Sequence, residues 1–351
     1  MTATSRCASW RTTNTLVLAI ALALALLSAA CGGSDDASST TSTAADRADQ
    51  TGQTASSEAS TPAAPASTDE ENEAASSFSG ELRIGAIPDQ DPEKLARLYG
   101  ELATYLGKAL PSVDVTYVPV TDYQGAVSGF KVGDLDLVWF GGLTGVQARL
   151  EVDGAKALVQ RDIDAEFTSV FIANTSTGIE PFDSLPGLQT LAGHSFTFGS
   201  ESSTSGRLMP QSFLTGAGVE AKDAFRGPAG FSGSHDKTIE LVESGTYETG
   251  VLNSQVWDSR VAEGKVDPAK VIEVFRTPAY YDYHWVAQPD LDARFGEGFE
   301  AALVDAFLAL DASDPAGAAI LELFAAKRFI PTENGNYAAI EAVGREIGLI
   351  N

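Results

Sequence analysis

Cysteine is almost missing from this chain: Cys7 and Cys31 are the only two in 351 residues. Beyond residue 30 only Cys31 remains, so neither an internal disulfide nor a thiolate metal cluster can hold the fold. Histidine is scarce as well, and His194, His235 and His284 show no metal-ligand spacing. Positive charge is under-represented, with 23 Lys and Arg against 48 Asp and Glu and a formal net charge of −25. That balance argues against nucleic acid or anionic lipid as a partner. Long apolar runs are missing except for Leu16 to Leu27, which is too short for a permanent membrane span. Between Gly32 and Ser77 there is no Trp, Tyr, Phe, Ile, Leu or Val. Such a segment cannot bury enough surface to offset the entropy of ordering it.

What is present at the N-terminus reads as an export signal. Arg6 and Arg11 precede an uncharged stretch from Thr12 to Ala30 with the apolar run at its centre. The stretch ends in Leu27-Ser28-Ala29-Ala30-Cys31, which resembles the lipobox of bacterial lipoproteins. That resemblance implies cleavage before Cys31 and a diacylglyceryl group on its thiol. Residues 1–30 are therefore expected to be a signal peptide and 31–77 a flexible acidic tether. Residues 78–351 are the expected folded body, held outside the cytoplasm by a lipid.

The body alternates strand and helix patterns. Leu82–Ile87 reads as a strand, Glu93–Leu110 as a helix, Val113–Val118 as a strand and Tyr123–Val132 as a helix. Leu135–Phe140 is a buried-type strand stopped by Gly141-Gly142. After Ser169 the rhythm continues, with strands at Ser195–Phe198, Thr249–Leu252 and Val271–Phe275. Helices are expected at Arg207–Gly216, Lys237–Ser244, Gln255–Glu263, Phe295–Leu310 and Ala316–Ala326. This order predicts an α/β fold with parallel sheets covered by helices. About 270 residues exceed one ordinary core, so two lobes are expected. Their bounds are about 78–168 with 280–351, and about 169–279, joined by crossings at Phe167–Asn174 and Val274–Val286. A cleft between two such lobes is where a small ligand binds.

The most informative stretch runs from Ser195-Phe196-Thr197-Phe198-Gly199 through Ser200–Ser205 to Gly206-Arg207-Leu208-Met209-Pro210. A strand passes through hydroxyls into a helix whose first turn contains a proline. Free amides at that helix start and the hydroxyls of Ser203, Thr204 and Ser205 suit an anion. Gly206 removes a side chain where backbone must come close. On spacing alone, a Ser-rich loop with one capping serine is an equally good reading.

Four features in the same order resemble the phosphate/phosphite/phosphonate-binding proteins of ABC transporters. They are Thr121-Asp122-Tyr123, Asp134–Gly141 ending in Trp139-Phe140-Gly141, Ser203-Thr204-Ser205-Gly206 with Leu208 and Pro210, and Ser234-His235-Asp236. The likeness spans Leu82 to Asn351 and implies a type II periplasmic-binding-protein fold that closes on its ligand. It further implies that Ser203, Thr204 and Ser205 hold anionic oxygens, that Tyr123 donates a phenolic hydrogen bond, and that His235 reaches another oxygen. Trp139 is left between pocket wall and core. Relatives that take aminoalkyl phosphonates carry carboxylates matching Gln255 and Asp282. Here one of the pair is an amide, which disfavours an ammonium-bearing ligand and leaves both to accept from a protonated oxyanion. Tyr280, Tyr281 and Tyr283 suggest a compact ligand: phosphite or a phosphate-like oxyanion first, then a small phosphonate, then a selenate-like oxyanion. The implied partners are an ABC permease and the membrane. A monomer without cofactor or resident metal is expected, and no catalysis.

Few cations lie in these motifs, so binding must come from aimed neutral donors. Each hydrogen bond to a charged group contributes roughly 1.5–3 kcal/mol. Five of them suffice for micromolar affinity, about 8 kcal/mol. Two other chemistries are conceivable. Ser205, His235 and Asp282 supply the residue types of a serine hydrolase, but without a Gly-x-Ser-x-Gly elbow. Tyr280-Tyr281 with His235, Asp282 or His284 supplies oxygen and nitrogen donors for ferric iron.

Overall fold

The computed structural model describes residues 78–351; the expected signal peptide (1–30), Cys31 and the expected tether (31–77) lie outside the described residues. Strands β1 (Gly80–Ala86), β2 (Val113–Tyr117), β3 (Leu137–Phe140) and β4 (Lys156–Arg161) enclose α1 (Pro92–Ala109), α2 (Tyr123–Lys131) and α3 (Gly142–Glu151). The chain then crosses into β5 (Ser169–Asn174), β6 (Phe196–Phe198), α4 (Met209–Gly216), β7 (Gly230–Phe231), α5 (His235–Glu243), β8 (Thr249–Asn253), α6 (Ser254–Ala262) and β9 (Val271–Arg276). It returns through β10 (His284–Ala287), α7 (Leu291–Phe295), α8 (Phe299–Leu308), α9 (Pro315–Leu323), β11 (Phe329–Pro331) and α10 (Ala338–Ile347).

Two sheets result, ordered β11-β4-β10-β3-β1-β2 and β7-β6-β8-β5-β9. The first packs into one aromatic-rich core, whereas the second has a separate core on each face. Neither sheet is purely parallel, contrary to the expectation from the strand–helix rhythm. β5 runs antiparallel to β8 and β9, β10 antiparallel to β3 and β4, and β11 antiparallel to β4. The reason lies in the crossings. β5 and β10 each begin where the chain has just entered a lobe, at the cleft edge where their mutually parallel neighbours end, so they must run the opposite way. β11 is reversed too, although it follows no crossing.

The crossings are shorter than the sequence suggested, because β5 already begins at Ser169. They pair with each other: Phe167 and Tyr280 exchange backbone hydrogen bonds of 2.8 and 2.9 Å, and the Asp282 amide donates to the Asp164 carbonyl at 3.0 Å. Arg161 locks this hinge with two bonds to the buried Asp164 carboxylate, at 2.6 and 2.7 Å, and a third to the Phe324 carbonyl at 2.9 Å.

Helix starts follow their caps. Asp91, Asp122, Ser203, Ser234 and Asn253 each accept from a first-turn amide with the side chain. Gly141-Gly142, read as a strand stop, is the start of α3. That helix was invisible to periodicity because most of it is buried, leaving no polar face to set the pattern. The single helix expected over 295–310 is broken at its start by Gly296 and Gly298, whose φ values are 123° and 81°.

Candidate functional site

Helices α2, α3 and α5 and the turn leading into α4 all begin at the cleft ends of strands, so their free amides converge there. Asp122 caps α2 through a 2.8 Å bond to the Gly125 amide and sets Tyr123 as its first residue. Ser203 caps the next element by accepting from the Gly206 amide at 2.9 Å. Residues Thr204–Leu208 form a π-helical turn that continues into α4. Pro210 is the second residue of α4, in its first turn as expected, with the π-helical turn ahead of it. Leu208 and Met209 donate to the Ser203 and Thr204 carbonyls, so the donor that Pro210 lacks is the one due to the Ser205 carbonyl. That carbonyl accepts from Ser169 Oγ instead, and the Gly206 carbonyl accepts from the Gly199 amide at 2.8 Å. Close approach at Gly206 is real. A Cβ on it would sit 3.0 Å from Ser203 Oγ and 3.1 Å from Gly199 Cα.

The lobes meet across this point. The Leu143 amide, in the first turn of α3, donates to Thr204 Oγ1 at 2.9 Å, and Gln124 Nε2 donates to Ser202 Oγ at 2.7 Å. The Gly142 amide donates to Asp282 Oδ1 at 2.9 Å. Further along the seam the His235 amide reaches the Asp89 carbonyl at 3.0 Å and the Asp91 amide reaches Asp236 Oδ2 at 2.9 Å. Tyr123, Ser203, Thr204, Ser205, His235 and Asp282 are all buried.

Within this enclosure three buried polar atoms have no partner among the described residues: Tyr123 Oη, Ser205 Oγ and Asp282 Oδ2. Buried polar groups are otherwise almost always bonded, so three together mark a place for a ligand. Tyr123 lies beside Ser203 and Asp282, and Asp282 beside Thr204. Burial pushes the Asp282 carboxyl up to about 7, against the Gly142 bond, which favours the charged form. Burial likewise raises Tyr123 and Tyr280 well above the usual phenol range. The Tyr280 hydroxyl is 2.6 Å from Ser169 Oγ, which itself donates to the Ser205 carbonyl at 2.8 Å.

His235 is held neutral, its pKa pushed down to about 4 by burial. Its Nδ1 accepts from the Asn253 amide at 3.4 Å, so Nε2 carries the proton and faces Tyr283 Oη at 3.3 Å. Tyr283 in turn donates to Asp89 Oδ2 at 2.8 Å and accepts from Asn253 Nδ2 at 3.1 Å. Burial raises Asp89 to about 6. Ser205, His235 and Asp282 thus form no relay: the histidine bonds Tyr283 and Asn253, and the carboxyl bonds Gly142.

Two expected site residues go elsewhere. Gln255 is not brought to the enclosure. It is the second residue of α6, bonds Ser259 Oγ at 3.0 Å along its own helix, and faces an outer groove beside Lys94 and Arg97. Its neighbours Ser254 and Val256 are buried while Gln255 itself turns to the surface, which no local pattern reveals. Trp139 belongs to the core. Its ring stacks on Tyr283 at 5.7 Å and packs against Trp285, Phe324 and Phe329, so it backs the site without lining it. Tyr281 is also drawn away, edge-on to Tyr337 at 5.9 Å. The sequence reading missed Asp89, Ser169, Asn253 and the α3 amides. Backbone donors leave no trace in residue type, although Gly141-Gly142 after a strand was a usable sign of a helix start.

Two α/β lobes, crossed twice by the chain and shut on a polar enclosure, define a type II periplasmic binding protein. A model of the phosphonate periplasmic substrate-binding proteins of ABC transporters matches residues 84–337, and the chain belongs to that family. It is 48% identical over 269 residues to the probable ABC transporter phosphite binding protein PhnD1 of Prochlorococcus marinus strain MIT 9301, covering 77% of this chain and 90% of that protein. The solved structure of PhnD1 in complex with methylphosphonate matches with a TM-score of 0.75 over 77% of this chain and 99% of its own. The phosphate-import protein PhnD of Mycolicibacterium smegmatis is 27% identical over 269 residues, 73% of this chain and 71% of its own. The chain is accordingly a substrate-binding protein of an ABC transporter, from a family that works outside the cytoplasm.

Proposed function

We propose that the chain captures a small tetrahedral phosphorus oxyanion, phosphite or methylphosphonate before phosphate, and delivers it to an ABC permease. The observation that carries this reading is the trio of unpartnered buried atoms, Tyr123 Oη, Ser205 Oγ and Asp282 Oδ2. Two are hydroxyl donors beside a helix start, the geometry an oxyanion needs. The third belongs to a carboxyl, which as carboxylate accepts from the O–H of a protonated oxyanion and as acid donates to a bare oxygen. Sulfate has no proton to offer at neutral pH, so Asp282 discriminates against it unless it is itself protonated. Ser203 Oγ and Thr204 Oγ1 each accept from a backbone amide, which leaves their O–H hydrogens to donate to the anion, whereas the Ser203 amide is taken by the Ser200 carbonyl. His235 contributes its Nε2–H, whose contact to Tyr283 is long enough to be shared with an anion.

In this reading the lobes, divided near 168/169 and 279/280, hinge at the Phe167–Tyr280 pairing and close on the anion. The protein works as a monomer without catalysis, held at the membrane by lipid on Cys31. Isothermal titration of phosphite, methylphosphonate, phosphate, sulfate and selenate tests the ligand. Micromolar or tighter binding of a phosphorus oxyanion, lost in Tyr123→Phe with Ser205→Ala, is expected. Affinity unchanged in that double variant, or no phosphorus oxyanion bound, would overturn the assignment. Metabolic labelling with a palmitate analogue, abolished by Cys31→Ala, tests the anchor.

A further inference from the structure

Behind Asp282, on the side away from the enclosure, a buried histidine is wedged between one helix and one ring. The His284 ring stacks on Tyr337 with centroids 3.7 Å apart. Its other side lies so close to Gly145 that a Cβ there would fall inside van der Waals contact with Cε1 and Nε2. Arg149 Nη1 sits 2.7 Å from His284 Nε2, and His284 Nδ1 sits 3.0 Å from the Asp282 carbonyl.

The proton positions follow from the partners. A guanidinium has only N–H groups, so Arg149 donates and Nε2 must be the acceptor. Burial brings Arg149 down to about 10, which still leaves it charged at neutral pH. The ring is neutral, held well below the usual imidazole range by burial and by Arg149. Nδ1 therefore carries the hydrogen and donates to Asp282.

Helix α3 thus holds the 282–284 segment at three successive turns. The Gly142 amide takes the Asp282 carboxyl, Gly145 seats the His284 ring, and Arg149 fixes its tautomer. With Oδ1 and the carbonyl of Asp282 both tied to this arrangement, the remaining oxygen Oδ2 is aimed by default.

We infer that Arg149 and His284 are positioning residues: they set the backbone at Asp282 so that its free carboxyl oxygen faces the bound oxyanion. The pair touches no ligand and acts only through Asp282. This rests on the proposed role of Asp282, and the test separates the two.

Methylphosphonate affinity and melting temperature are measured for His284→Phe, Asp282→Asn and the double variant. His284→Phe keeps the stack on Tyr337 and removes both hydrogen bonds. It is expected to weaken binding about tenfold, the scale of one bond to a charged ligand. In the Asp282→Asn background the same change is expected to cost less than about twofold, because the oxygen it aims is gone. Arg149→Lys, which can still donate to Nε2, is expected to retain more affinity than Arg149→Met. If Asp282→Asn binds like the parent, the role of Asp282 fails. If Asp282→Asn weakens binding but His284→Phe does not, or costs the same in both backgrounds, the positioning inference fails. Should His284→Phe not fold, 15N spectra of the parent protein decide: an Nδ1–H, Nε2-acceptor ring is expected, and an Nε2–H tautomer overturns it.

Discussion

The amide of Gly199 donates to the carbonyl of Gly206 at 2.8 Å, joining the end of β6 to the π-helical turn that follows. This contact brings two backbones so close that a Cβ on Gly199 would sit 3.2 Å from Gly206 Cα and one on Gly206 would sit 3.1 Å from Gly199 Cα. It shapes the turn that presents Ser203, Thr204 and Ser205 to the cleft.

Gly206→Ala should therefore damage both stability and binding. The added methyl would meet backbone at Gly199 and the capping Ser203 hydroxyl. A loss of about 1–3 kcal/mol by thermal melting is expected, together with a more than tenfold loss of oxyanion affinity by calorimetry. Gly216→Ala, where nothing lies within 4 Å of the new atom, is the control and should be neutral or better.

Removing an unpartnered buried polar atom should act oppositely on stability and binding. Tyr123→Phe and Ser205→Ala are each expected to leave the ligand-free melting temperature unchanged or slightly higher. Each should weaken binding by about 1.5–3 kcal/mol, roughly tenfold to more than a hundredfold.

Asp282 gives a signed pH dependence. Its folded-state pKa, about 7, lies above the unfolded 3.8. The folded protein therefore holds the proton more tightly, and this contribution to stability is full below the unfolded value and lost as pH rises through about 7. Asp282→Asn should raise the ligand-free melting temperature at pH about 8 and change it little at pH about 4. A bound anion pushes the carboxyl further up, so binding near neutral pH should take up a proton. Calorimetry in buffers of different ionisation enthalpy, with the ligand's own ionisation subtracted, should show that uptake in the parent and not in Asp282→Asn.

Ionic strength should matter little. Among the described residues no lysine or arginine side chain hydrogen-bonds the three unpartnered atoms, and the chain carries a net charge of −25. Between about 0.05 and 0.5 M salt the affinity for methylphosphonate should change less than about threefold. Any trend should be toward tighter binding, since salt screens repulsion of the anion. A steep loss would point to a cationic site instead.

Gln255→Ala should leave affinity within about twofold of the parent, because that side chain turns along α6 toward Ser259. An effect comparable to Ser205→Ala would return Gln255 to the ligand.

Much of the site was legible in the sequence because its hydroxyls and caps act locally. Ser203 reaches only to Gly206, and Asp122 only to Gly125, so both fall in strand-to-helix stretches. Spacing left the serines open between a cap and an anion site, and the family resemblance favoured the latter. The strand–helix order and the need for two lobes came from periodicity and length alone. The acidic composition shifted the search toward neutral donors.

Three features needed the folded chain. The reversed direction of β5 and β10 follows from where the crossings enter each lobe, which no segment encodes by itself. The fates of Gln255 and Trp139 depended on which face of α6 and of β3 met the opposite lobe, and burial periodicity does not say which buried face fronts a cleft. Asp282 stands 140 residues from the Gly142 amide that holds it, and His284 135 from Arg149. Sequence could supply each of those groups. Only long-range packing, which brings a helix start and a crossing segment to the same point, decides that they meet.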